Sequence, residues 1–490
     1  MSDIYRLDSK SDGEIYAIHR LLLQEIAKRR QGHGGGVDES DTYELKGKPD
    51  SEIDNIHDLV LQEIEKRRKL GKTAACPPDQ IPPVTGGLIA DLAELLLKEV
   101  DQKVRDRLAQ SIACLAKPGG SGPSVKCPSP GAYPAPVPRT GQTQCWDSHY
   151  QLAGWNACDA APGQDGAIQS GVPWRDPRFE DPGDGTVTDL NTGLIWMKNA
   201  DTFGEVTWDQ ARILAAKLES GCHCLSDKST RGQWRLPTIR ELFSMMDYGQ
   251  AAPIVPRDYP DRNTVKPAIY WSSTTLIADE SQAWMMTLGI GPTVFILKNT
   301  TNRMWPVRDG KRVSIPKTGQ MQTFGFEQVG QDGLAENRKG VEWPKDRFAV
   351  DANGRGTVTD NLTGLVWLQN ANAFGWQTWE QALKKCHAMH SGSVEGLNDG
   401  SIQGQWRLPN VREIESLVDY GRAGPCLPHG WQNAFSNVQP SSYWTSTTVA
   451  GAPSQAMFII FGIGPVIFEN KEHPFFVWPV RNQDLNLWPG

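Results

Sequence analysis

Two short stretches carry metal-ligating side chains at close spacing: Cys222, His223 and Cys224 in one, and Cys386, His387 and His390 in the other. Thiolate and imidazole groups of this kind suit zinc, which takes four ligands in tetrahedral geometry. Neither stretch has a second cluster at zinc-finger spacing, so no metal is expected. A third stretch, "DPGDGTVTD" at 181 to 189, offers Asp181, Asp184 and Asp189 in the manner of a calcium loop. Its counterpart "DANGRGTVTD" at 351 to 360 has Arg355 where Asp184 stands, with the flanking residues unchanged. A turn set by Gly and Asx residues accounts for both copies. Nothing places a nucleophile beside a base at a recognisable spacing, so a non-enzymatic protein without a cofactor is expected.

The elements that position these residues are written twice. "GQWRLPT" at 232 to 238 returns as "GQWRLPN" at 404 to 410, and "GTVTDLNTGLIWMKNADTFGEVTWDQA" from 185 returns as "GTVTDNLTGLVWLQNANAFGWQTWEQA" from 356. "YWSSTT", "GIGP" and "WPVR" also recur, and a weaker match pairs "PRTGQTQ" at 138 with "PKTGQMQ" at 316. The offset is that of whole domains rather than solenoid units. Two domains are expected, at 140 to 312 and 313 to 490, each long enough to bury a core. Within a unit, short β-rich runs broken by Gly turns precede a helix, an extended "WRLP", a second capped helix, a long loop and an antiparallel hairpin. This order reads as α+β.

Thr238 and Asn410 are N-cap residues with Glu241 and Glu413 three positions on, the capping-box arrangement. Pro237 and Pro409 keep the preceding residues extended. Trp234, Arg235, Trp406 and Arg407 are therefore read first as architecture, with each Arg head held inside the fold. Of the eighteen Trp residues, Trp196/Trp367, Trp208/Trp379, Trp234/Trp406, Trp271/Trp444 and Trp305/Trp478 match between copies. A shared core explains matched positions better than a sugar-stacking surface does.

The string "DGTVTDxxTGLxW…TWxQA…WRLPxxREL…YWSST…VWPVR" resembles the Lcl C-terminal domain family, named for a bacterial collagen-like adhesin and related to C-type lectin-like folds. The resemblance spans about 176 to 309 and 346 to 482. It implies two tandem lectin-like domains, a cell-surface or secreted location, and binding to extracellular polymers such as glycosaminoglycans. In lectin-like folds the region between the second helix and the last strands forms the ligand surface, here 250 to 303 and 422 to 476. The candidate ligand-binding residues are Trp284, Thr293, Phe295, Lys298 and Arg303 in the first copy, and Phe458, Phe468, Lys471 and His473 in the second. "RLPT" before a helix also resembles the formylglycine-generating family, whose chemistry needs reactive cysteines late in the domain. No cysteine occurs from 225 to 385 or after Cys426, so that site has no matching residues.

The N-terminal part, 1 to 117, has its own repeat, "EIYAIHRLLLQEIAKRR" and "EIDNIHDLVLQEIEKRR". Ile15, Ile18, Leu22 and Ile26, and Ile53, Ile56, Val60 and Ile64, step by three and four and draw an apolar stripe on each helix. A long helix is expected from 88 to 115, followed by a Pro/Gly-rich linker at 118 to 139. The stripes suit either a small bundle with self-association or docking to a protein partner. A scaffold component recruited through these helices is the structural alternative to a binding protein.

A formal net charge of -7 gives no global attraction to nucleic acid. No apolar run long enough to span a membrane is present and no signal peptide follows Met1, which makes a cytoplasmic location the default expectation. Of the nine cysteines, Cys145 and Cys158 both lie in a stretch that is longer in the first copy, and the second copy lacks both, the joint presence and absence that a disulfide pair leaves; buried thiols are the alternative.

Overall fold

The computed structural model describes residues 133–146, 158, 163–321 and 339–483. The N-terminal stripes at 15 to 64, the helix expected at 88 to 115 and the linker up to 132 lie outside the described residues. Residues 125–490 form one compact unit.

A short helix α1 (Asp165–Ile168) precedes the first repeat. That repeat runs β1 (Phe179–Glu180), β2 (Thr186–Asp189), β3 (Leu194–Met197), β4 (Glu205–Val206), α2 (Trp208–Lys217), α3 (Ile239–Ser244), β5 (Ile269–Thr275), β6 (Gln282–Thr287), β7 (Thr293–Leu297), β8 (Asn302–Arg303) and β9 (Val307–Asp309). The second runs β10 (Phe348–Val350), β11 (Thr357–Asp360), β12 (Leu365–Leu368), α4 (Trp379–Ala388), α5 (Val411–Glu415), α6 (Trp431–Ala434), β13 (Ser442–Thr448), β14 (Gln455–Ile460), β15 (Val466–Asn470) and β16 (Val480–Asn482). The sheets have orders β1-β2-β3-β9, β4-β8-β5-β6-β7, β10-β11-β12-β16 and β13-β14-β15. In each repeat the last strand returns beside the third, and the extended "WRLP" arginine bridges that last strand, Arg235 to Val307 and Arg407 to Val480.

The α+β, lectin-like expectation is thereby corrected. The described chain is mostly β, in four small sheets set like the blades of a four-bladed propeller, and its six helices are at most ten residues long. The capping boxes do form: Glu241 accepts from the Thr238 N–H at 2.7 Å, and Glu413 from the Asn410 N–H at 2.8 Å. Helices α3 and α5 nevertheless stop after six and five residues. A helix end leaves carbonyls without intrahelical donors, and here arginines of the opposite repeat take them. Arg412 Nη2 donates to Ser244 O and Met246 O, and Arg240 Nη2 donates to Val418 O at 2.6 Å. The apolar pattern running on to Met246 and Val418 marks burial beyond the helix end.

The segments leading into each repeat cross to the other one. Gln142 exchanges hydrogen bonds with the Thr448 backbone, and Gln320 does the same with Thr275. Gly141 and Gly319, before these glutamines, have φ of +92° and +91°, and a Cβ there would fall 2.2 Å and 2.1 Å from a carboxylate oxygen of Asp247 or Asp419. Close approach and left-handed backbone together require glycine, which is the physical content of the repeated "TGQ".

Asp165 on α1 is fully buried against the second repeat, accepting from Thr447 Oγ1 at 2.6 Å. Burial raises its pKa from 3.8 to about 6. A carboxyl that holds its proton more tightly when folded stabilises fully below the unfolded pKa, and that stability is lost as pH rises through the folded one. Stability should therefore fall between about pH 4 and pH 6 by up to ~3 kcal/mol. Asp165→Asn should flatten that slope in urea titrations run across the window; an unchanged slope would show that another group carries it.

Candidate functional site

The five matched Trp pairs are all buried, none more than 4% exposed. In "WRLP" the guanidinium of Arg235 forks onto Glu241, with Nη1 to Oε2 at 2.7 Å and Nη2 to Oε1 at 2.6 Å, and also reaches Asp309. Burial disfavours the cation, but Glu241 and Asp309 outweigh it and hold the Arg235 pKa above its ordinary value. Arg407 forks onto Glu413 in the same way and adds Ser170 and Asn482. These arginines are occupied inside the fold.

The carboxylates of "DPGDGTVTD" are likewise occupied. Asp181 accepts from the Gly183 N–H and from Lys198, Asp184 accepts from the Thr186 N–H and hydroxyl, and Asp189 is bidentate with Arg178. Cys224 is exposed, Cys222 half-buried, and the His223 ring lies 4.8 Å from Phe203. Cys386 is buried, which pushes its thiol pKa up. Among the described residues no group of three or more His, Cys, Asp or Glu is set to hold a metal ion. Cys145 and Cys158 are joined by a disulfide.

The candidate ligand residues separate into interior and edge. Trp284 is 1% exposed and packs edge-on against Phe295 and against Tyr420 of the other repeat, at 5.3 and 5.2 Å. Thr293 is fully buried, its hydroxyl accepting from the Val466 N–H at 2.8 Å, so β7 and β15 meet across the repeats. Phe458 is buried in a cluster with Trp379 and Trp444. Lys298 stands 4.1 Å over the Trp208 ring and Lys471 3.9 Å over Trp379. Burial pushes their pKa values down to about 8 and about 7. A cation over a core Trp in both copies serves the frame. Arg303 pairs with Asp201. Phe295 and Phe468 are half-buried, and His473 lies exposed 3.8 Å from Glu469.

One edge differs in kind between the copies. In the first repeat Glu205 lies opposite Arg303 on β4 and β8, and the edge is charged. In the second the bridge of Gln377 to Phe475 answers Val206 and Asn302, and the aromatic pair Trp376 and Phe476 takes the place of Glu205 and Arg303. Trp376 is 64% exposed and stands edge-on against Phe476 at 5.8 Å. On the neighbouring position Phe475 lies 4.4 Å from Phe458, 4.7 Å from Trp444 and 6.4 Å from His473. Trp376 was not among the candidates read from the sequence. Its signal there is a Trp with no counterpart, "FGWQTW" against "FGEVTW". An exposed indole held edge-on by Phe476, itself 5.5 Å from the buried Tyr443, can stack on a flat apolar ligand face at little entropic cost.

Among the described residues no helix is long and apolar enough to cross a membrane. A family model described as the Lcl C-terminal domain matches residues 185–308 and again 356–481. No curated protein matches the chain.

Proposed function

The chain belongs to the Lcl C-terminal domain family, with two tandem copies, and from that premise we propose that it is a non-enzymatic, adhesin-type binding protein. Its ligand is a glycan or sulfated polymer whose sugar rings stack on the second repeat's aromatic edge. The observation that carries this reading is Trp376, which lies 64% exposed beside Phe476 in a chain whose matched tryptophans are buried. A large exposed aromatic offers a partner wide contact area at little loss of side-chain freedom. His473 and Glu469 add polar groups on the same hairpin end of this repeat. The apolar stripes read from the sequence at Ile15 to Ile26 and Ile53 to Ile64 serve in docking or oligomerisation and bring several copies of the module together. Repeated weak contacts then add up to avidity on a polymer.

Affinity electrophoresis of the full chain through gels containing heparin or a neutral polysaccharide tests the edge. Trp376→Ala should weaken retardation by roughly tenfold or more, as removal of a central aromatic anchor does. Its melting temperature should stay close to that of the parent, since the side chain is mostly in solvent. Equal retardation of parent and variant in every polymer that binds would sink the assignment of this edge.

A further inference from the structure

A cavity of about 250 Å³ lies where the two repeats and their leading segments meet. Val137, Pro138 and Val172 come from the first leader, Ile315 and Pro316 from the second, so the walls are largely apolar. The charged residues at its lining are Arg175, Arg240, Arg412 and Glu415, three cations and one carboxylate.

Arg240 and Arg412 are counterparts in the repeat, and their surroundings differ at one position. Arg240 has Glu415 beside it, with Nε 3.6 Å from Oε1. At the place that corresponds to Glu415 the first repeat has Phe243, and Arg412 meets that ring at 5.8 Å instead of a carboxylate. Arg412 is only 5% exposed. It spends Nη2 on the Ser244 and Met246 carbonyls, and its Nε is buried without a partner. Burial pushes its pKa down to about 10, with Tyr248, Glu415 and Asp247 favouring the cation and Arg178 opposing it. A buried guanidinium without a directly paired carboxylate is costly, and an anion reaching it gains a charge-assisted hydrogen bond.

We propose that this cavity is a binding site for a small carboxylate with an apolar body, the carboxylate pairing with Arg412 as Glu415 pairs with Arg240 and the body filling the Val, Pro and Ile lining. The site is separate from the aromatic edge and does not depend on it.

Titration calorimetry of the full chain with octanoate and with octan-1-ol reads both halves of the idea. Octanoate should bind more tightly by roughly tenfold to a hundredfold, the worth of a charge-assisted hydrogen bond. Phe243→Glu supplies the first repeat with its own carboxylate and should abolish that preference. Should this variant fail to fold, Arg412→Met keeps an apolar cavity without the cation and should bind the acid no better than the alcohol. Trp376→Ala should bind octanoate as the parent does, which separates this site from the polymer-binding edge. No octanoate binding by the parent, equal binding of acid and alcohol, or a preference that survives in a folded variant of Phe243 or Arg412 would each overturn the assignment.

Discussion

Replacing Glu413 by alanine is expected to cost about 3–5 kcal/mol, because it strands a buried cation. Glu413 is fully buried and accepts four hydrogen bonds, two from Arg407, one from the Asn410 N–H and one from Ser170 Oγ. Arg407, itself 2% exposed, would keep only the neutral oxygens of Ser170 and Asn482. The equivalent change in the first repeat, Glu241→Ala, should cost less, by about 1 kcal/mol or more, since a hydrogen bond to a charged group outweighs one to a neutral group. There Arg235 retains Asp309, 2.6 Å away and partly open to solvent. Urea unfolding of the two variants side by side decides the matter, and equal losses, or a larger loss for Glu241→Ala, would contradict the assignment of Asp309 as the compensating partner.

Trp406→Ala is expected to cost about 3–5 kcal/mol through the cavity it leaves. The ring is fully buried among Val366, Leu368, Met389 and Leu397, donates Nε1–H to Ser401 at 3.0 Å, and lies 5.3 Å from the Arg481 guanidinium. The crossing leaders tie its effect to the other repeat. Gln142 and Gln320 each join a leader to the long strand of the opposite copy, and Trp284 packs on Tyr420 across the same boundary. We therefore expect one unfolding transition for residues 125–490, moved as a whole by Trp406→Ala. Far-ultraviolet dichroism and Trp fluorescence followed through the same melt test this; a second transition left at the parent's midpoint would show that the repeats unfold separately.

What a single repeat needs for itself was legible in the residues. The capping boxes at Thr238 and Asn410, the turn at 181 to 189, the matched tryptophans of the core and the sequestered arginines of "WRLP" rest on neighbours close in sequence or on positions that recur in both copies. Such contacts follow from local spacing, so writing the pattern twice exposes them.

The helix lengths were not legible, because α3 and α5 end where arginines from the other copy take their carbonyls. Nor was the burial of Thr293 and Trp284, which depends on two hairpins meeting across the repeats. The aromatic edge needed tertiary structure to show Trp376 in solvent rather than in the core with its fellows. Phe243 beside Arg412 is an unremarkable apolar residue on a helix until the fold sets it where Glu415 stands beside Arg240. Contacts between residues hundreds of positions apart leave no periodicity in the chain, and they arise only when two finished surfaces dock and each must satisfy the polar groups that the other buries.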